Sequence, residues 1–270
     1  MKKLKRLLIL INAYFIQNHP QMIISKKNKF VYIKTPKTAG SSLELYLSQF
    51  CGLNDIITPL LPNQEKIKKK LKILPAQNYI LEKFTLRYLK EFRFKHKLIL
   101  SDHLSLKFVE RHIDINLKKY FIFTVVRNPY DWIVSMFCWY VYSKNILDKK
   151  NMINPNKVKI NIVFKLFLSL ECHLFFKTMK SMIMSKKLNI KVYKFENLKN
   201  EIKNIKNIIG FSNEKIKFEN IQLNSQSLES KIRKQIKFDK KDIKLVLNEG
   251  KFFFENFRYS KSIPKKYITR

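Results

Sequence analysis

Phe30-Val31-Tyr32-Ile33-Lys34-Thr35-Pro36-Lys37-Thr38-Ala39-Gly40-Ser41-Ser42-Leu43-Glu44 is the stretch on which the fold turns. An apolar β-type run over 30–34 stops at a Pro-Lys-Thr-Ala-Gly-Ser-Ser turn, and helical spacing takes over over about 41–50. This is how a protein builds an anion cradle: a strand delivers the chain, a turn exposes backbone N–H groups, and the next helix aims its positive end at the same point. Lys37 adds a mobile charge, and Thr38, Ser41 and Ser42 add hydroxyl donors. The nucleotide P-loop reads G-x-x-x-x-G-K-[ST], with Lys directly after the second Gly. Here the Lys precedes the Gly, so the ordinary ATP or GTP reading fails on spacing.

A second segment answers the first. Tyr120-Phe121-Ile122-Phe123-Thr124-Val125-Val126 is a β-branched and aromatic run, as in a strand buried on both faces. It ends in Arg127-Asn128-Pro129-Tyr130-Asp131-Trp132-Ile133-Val134-Ser135. Asn128 suits an N-cap and Pro129 a first helical residue, predicting a helix over 130–143. Arg127 then lies at the carboxyl end of a strand, where open α/β sheets bind ligands. Ser135, about two helical turns on, is in position to share an anion with it.

Together the two segments resemble the sulfotransferases that use 3′-phosphoadenosine 5′-phosphosulfate, in particular their carbohydrate-type branch. Its first motif reads P-K-T-[AG]-[GS]-[TS]-S and its second [VF]-R-N-P-x-[DE]-x-x-x-S. The resemblance implies that Lys37, Thr38, Ala39, Gly40, Ser41 and Ser42 hold the 5′-phosphosulfate and that Arg127 and Ser135 hold the 3′-phosphate. Further marks follow in order: Ser101-Asp102-His103-Leu104-Ser105, Val192 to Leu198, Leu223-Asn224-Ser225-Gln226-Ser227, and Phe254 to Tyr259. Asn224 and Ser227 would help close the nucleotide site. The departures are Asp102, where relatives often have Gly or Lys, and Trp132, where many have Arg.

The resemblance implies sulfuryl transfer to a hydroxyl, most naturally on a carbohydrate. The demands are positioning and neutralisation of charge on the leaving oxygen. The chain shows no carboxylate pair or His spacing for a metal, and no metal is expected. Lys37 would contact the oxygen bridging phosphate and sulfate. His103 is the expected general base, its imidazole suited to proton transfer near pH 7. Glu44 is the reserve, although a carboxylate there also suits the helix dipole. Trp132 either stacks on adenine or packs in the core. Two other classes stay open: a P-loop-like nucleotide kinase, and a non-catalytic relative that binds anions or glycans.

Composition bounds these readings. At 270 residues, 46% of them hydrophobic, the chain suits one α/β domain with a mainly parallel, P-loop-like sheet flanked by helices and a variable helical lobe. Lys and Arg number 55 against 20 Asp and Glu, a net +35. Either Lys, Asn, Ile and Phe are inflated together by coding drift, or the field attracts anionic donors, acidic glycans or an anionic membrane face. Nucleic acid is not an expected partner, because no zinc finger, RNP-type strand or basic tail accompanies the charge. Cys51, Cys138 and Cys172 lack CxxC spacing and read as buried reduced thiols of a cytoplasmic protein, with peripheral contact at the inner membrane face left open.

Residues 1–21 read as an accessory extension or as not native, with Met22 an alternative start, and 22–270 as the catalytic domain. The apolar run Leu7 to Ile11 is too short for a membrane span. Region 52–95 reads as the variable lobe, with Lys66 to Lys72 a solvated helix face, and 144–160 as an exposed loop. Strands are expected at 97–101 and 191–195. Helices are expected at 105–112, 161–176, 198–209 (stopped by Gly210) and 240–257.

Overall fold

The computed structural model describes residues 22–81, 98–99, 113, 115–143, 160–185, 187–211, 214–221 and 227–268. Its main sheet has five strands: β1 (Met22–Ser25), β2 (Phe30–Ile33), β3 (Ile56–Ile57), β6 (Phe121–Val126) and β7 (Ile190–Lys194), in the order β3-β1-β2-β6-β7. β4 (Ile80–Leu81) and β5 (Leu98–Ile99) form a separate two-stranded pair. The helices are α1 (Gly40–Ser48), α2 (Pro62–Lys70), α3 (Pro129–Ser143), α4 (Ile160–Ile183), α5 (Leu198–Ile209), α6 (Ser227–Gln235), α7 (Lys240–Glu249) and α8 (Lys251–Asn256).

The strands that matter for the site are parallel. β2 pairs with β6 and β6 with β7, with Ile33 opposite Thr124 and Val126 opposite Lys194. Their carboxyl ends therefore finish side by side, and the loops that follow them are neighbours. The two-residue alternation of a strand sorts the side chains. Phe30, Tyr32, Phe123, Val125 and Tyr193 face α1 and α5, meeting Leu43, Tyr46, Leu47, Ile202 and Ile205. Met22, Ile24, Val31, Ile33 and Ile122 form the opposite face. A second core, rich in Phe, joins α3, α4, α6, α7 and α8 around Phe137, Phe164, Phe176 and Phe238.

The expected α/β sheet flanked by helices is what the chain forms, with an antiparallel edge where β1 pairs with both β2 and β3; several finer expectations are corrected. The Asp55 carboxylate fixes the β1–β2 turn, accepting from Lys26 N, Lys27 N, Gly52 N and Ser25 Oγ at 2.7–3.0 Å. α4 runs seven residues past its expected end, its buried positions continuing through Met179, Met182 and Ile183. The expected helix 240–257 splits at Gly250, where α7 ends and α8 begins. Within the region read as the variable lobe, β3 joins the main sheet through β1, and Ile57 and Gln77 exchange backbone hydrogen bonds. Lys66, Lys69 and Lys70 are exposed as expected, but Lys68 is completely buried. The expected helix 105–112 and nearly all of the loop 144–160 lie outside the described residues.

Candidate anion site at the ends of the parallel strands

The loop after β2 is held in an uncommon shape. Lys37 and Ala39 both adopt left-handed backbone conformations, with φ of 60° and 61°, although neither is glycine. Such residues persist only where their surroundings over-determine them. Thr35 and Thr38 supply part of that grip. The Thr35 hydroxyl donates to the Val125 carbonyl on β6, and the Thr38 hydroxyl to the Thr35 carbonyl at 2.9 Å. Thr38 is fully buried, so its hydroxyl serves the loop itself, which corrects the expectation of a free donor.

Ala39 is the N-cap of α1, without a side-chain cap, and the first intrahelical bond runs from Leu43 N to the Ala39 carbonyl. Ser41 and Ser42 therefore sit inside the first turn rather than at the cap, half-buried. The N–H groups of Gly40, Ser41 and Ser42 belong to the set that a helix leaves without internal partners. Gly40 is required for space: a Cβ there would lie 2.5 Å from Lys34 Cγ.

The loop after β6 meets the first directly. Arg127 Nη1 donates to the Lys37 carbonyl oxygen at 3.2 Å, and the guanidinium lies 4.3 Å over the Phe195 ring beyond β7. Arg127 Nε is buried with no hydrogen-bond partner. Burial, then the neighbouring Arg233 charge, lowers the Arg127 pKa. Burial likewise lowers Lys37, against the pull of Glu229. Asn128 caps α3 as the sequence predicts, its Oδ1 accepting from Tyr130 N at 3.0 Å.

Trp132 resolves to the core reading. It is 1% exposed, packs on Phe176 at a centroid distance of 5.0 Å, and donates from Nε1 to the Pro36 carbonyl at 2.9 Å. It thus pins the first loop to α3. Ser135 is also buried, and its hydroxyl donates to Glu229 Oε1 at 3.3 Å.

A C-terminal strap closes on the second loop. Tyr259 donates to Glu196 Oε2 at 2.9 Å, while Glu196 Oε1 accepts from Asn128 N at 2.8 Å. Tyr267 donates to Asp131 Oδ1 at 2.7 Å and accepts from Arg233 Nη1 at 3.4 Å. Burial alone would raise Asp131; hydrogen bonds from Lys266 and Tyr267 outweigh it and hold the carboxylate below its usual range.

Glu44, the reserve base, is corrected. It is fully buried beneath the loop, 3.0 Å from Lys34 Nζ and 3.8 Å from Lys68 Nζ, with Glu65 3.3 Å beyond Lys68. Burial raises the Glu44 pKa, and the two lysines oppose that shift. It props the cradle from behind. His103, Asn224 and Ser225 lie outside the described residues, as do the Asp102 position and the side chain of Ser227.

The structure thus brings Lys37, Arg127 and the start of α1 together, while Ser135 is bound to Glu229, whose charge acts on both cations. Sequence reasoning missed Glu229, Arg233, Lys34 and Lys68. Of these, only the i,i+4 spacing of Glu229 and Arg233 left a trace, and it is the mark of any surface helix pair.

Parallel strands that end beside Lys37 and Arg127 frame an α/β protein with a cationic cluster of loops. The profile of the sulfotransferase family matches residues 20–260, and the chain belongs to that family. It is a sulfotransferase, an enzyme of sulfuryl transfer. Comparison with curated proteins and with solved structures gives no match.

Proposed function

We propose that the chain transfers a sulfuryl group from 3′-phosphoadenosine 5′-phosphosulfate to a hydroxyl on a carbohydrate. The observation that carries the donor reading is the Arg127–Lys37 contact, which makes one site of two loops 90 residues apart. A donor with phosphate groups at both ends of an adenosine matches that pairing. The buried, unpartnered Nε of Arg127 and the free N–H groups opening α1 suit such anions. In this reading Lys37, Thr38, Ala39, Gly40, Ser41 and Ser42 surround the 5′ end, Thr38 through its backbone. Arg127 and Ser135 serve the 3′ end.

The reaction is an in-line displacement. The acceptor oxygen bonds to sulfur as the bond from sulfur to the bridging oxygen breaks, and the hydroxyl proton passes to His103. Lys37 faces the charge that builds on the departing oxygen. Partial burial supports its role, because an ammonium removed from water acts more strongly on a nearby charge. The +35 net charge supports an acidic glycan acceptor and contact with an anionic membrane face, and the free, buried Cys51, Cys138 and Cys172 suit a reducing cytoplasmic compartment.

Calorimetric titration with 3′-phosphoadenosine 5′-phosphate, against ATP with Mg²⁺, tests the donor. Tight binding of the bisphosphate is expected; binding of ATP alone overturns the reading. Transfer of labelled sulfate to a panel of sugars, peptides and phenols tests the acceptor, and label on peptides or phenols alone overturns the carbohydrate assignment.

A further inference from the structure

In this structure Ser135 already holds an anion, and that anion belongs to the protein. Oε1 of Glu229, on α6, accepts the Ser135 hydroxyl at 3.3 Å. The same oxygen accepts Arg233 Nε at 3.1 Å and Nη2 at 2.6 Å. One carboxylate oxygen therefore gathers three donors from two helices, with both side chains of the Glu229–Arg233 pair more than three-quarters buried. An exposed i,i+4 pair has no such shell and contributes little. Here the charges of Lys37, Arg233 and Arg127 overcome burial and keep the carboxyl ionised. A guanidinium giving two N–H bonds is a common holder of carboxylate and phosphate alike, and here a serine hydroxyl joins it.

We propose that Glu229 is a resident anion of the donor site, occupying the position of the 3′-phosphate and leaving Ser135 when the donor binds. The proposal rests on the donor reading above and adds an affinity threshold to it. Without Glu229, Lys37 and Arg233 would lose the carboxylate that offsets their charge, and Arg127 would be left with Asp131 and Glu196. With it, any small anion has to compete with a tethered carboxylate. Free sulfate or phosphate competes with a single point of attachment. A nucleotide also anchored at the Lys37 loop competes with two, and linked attachment multiplies its advantage. Glu229 therefore sets an affinity threshold at this position, which a loose anion must overcome with one attachment and a donor with phosphates at both ends overcomes with two.

The test is Glu229→Gln, which keeps the shape and an acceptor oxygen but removes the charge. It is titrated with 3′-phosphoadenosine 5′-phosphate, with adenosine 5′-phosphate and with inorganic phosphate. The bisphosphate and inorganic phosphate are each expected to bind about tenfold tighter than to the wild type, with adenosine 5′-phosphate gaining less. A merely structural Glu229 would leave all three constants alike or weaken them together, and either result overturns the proposal. If neither protein binds the bisphosphate while inorganic phosphate still gains, the donor reading fails and the resident anion stands. Hydrogen exchange on the wild type needs no variant. Saturating bisphosphate should speed exchange of the α6 amides at least threefold as the helix loses its anchor on Ser135, and unchanged or slower exchange there overturns the proposal.

Discussion

Arg127 holds Lys37 by its backbone: a guanidinium N–H reaches the lysine's carbonyl oxygen across 3.2 Å. The ammonium of Lys37 takes no part in that contact, while the chain that carries it is fixed from the neighbouring strand. The two cations stay close because one of them addresses the other's peptide oxygen rather than its charge.

The division of labour follows. On the proposed function, Lys37→Ala removes the charge that faces the leaving oxygen, and should lower kcat by about 10²–10³ while changing donor affinity less. On the same reading Arg127→Ala removes a ligand of the 3′-phosphate and loosens the Lys37 loop, so donor affinity should fall first, by about tenfold or more at about 1.4 kcal/mol per decade. Steady-state kinetics beside direct donor titration separates the two. Equal losses in both columns for both variants would contradict the assignment.

Trp132 is the mechanical link between α3 and the cradle. Trp132→Phe keeps an aromatic ring against Phe176 but loses the Nε1 bond to the Pro36 carbonyl. Loss of that bond and of part of the ring's volume should cost about 2 kcal/mol of stability. Pro36 precedes Lys37, so turnover should fall too, and more than donor affinity. Urea unfolding and kcat, measured on the same sample, check both halves.

The readable part of this molecule was local. The strand–turn–helix units at β2–α1 and β6–α3 announce themselves by β-branched runs, an Asn-Pro cap and the spacing of Arg127 to Ser135. β1 and β3, of four and two residues, are too short to leave a pattern. Lys68 lies in a lysine run that reads as solvated, and its burial against Glu44 depends on α2 docking beneath the cradle, which no helical periodicity encodes. Glu229 meets Ser135 from 94 residues away, and nothing in either neighbourhood points to the other. Left-handed Lys37 and Ala39 were hidden because neither is a residue type that favours that conformation.

Gly40 should tolerate no side chain. An alanine Cβ would stand 2.5 Å from Lys34 Cγ and 2.7 Å from Cε. The Lys34 stem is tethered by its backbone at one end and by Glu44 at the other, so it has little room to give way. Gly40→Ala should cost about 2 kcal/mol, within the range for overpacking, and lower turnover with it. Gly210 offers a control at φ 75° in open space. Gly210→Ala should cost about 1 kcal/mol from left-handed strain alone and leave turnover unchanged. Denaturant midpoints and kcat for both variants distinguish crowding at the cradle from strain elsewhere.

The buried pair behind the cradle makes a prediction about pH. Lys34 is 3% exposed, and burial lowers its pKa from the ordinary 10.5 to about 8 even though Glu44 pulls it upward. Between pH 8 and 10.5 the unfolded chain keeps this proton and the folded chain releases it. Stability rises with pH wherever the unfolded state binds more protons, so this contribution should increase across that window and be flat below it. Lys34→Met abolishes the titration while keeping an unbranched stem over Gly40. The unfolding free energy of the wild type minus that of Lys34→Met, measured in urea from pH 7 to 10.5, should therefore be constant to about pH 8 and then grow in favour of the wild type. A difference that stays flat, or that shrinks, would mean that Glu44 keeps Lys34 charged throughout and that the ion pair overcomes its own burial.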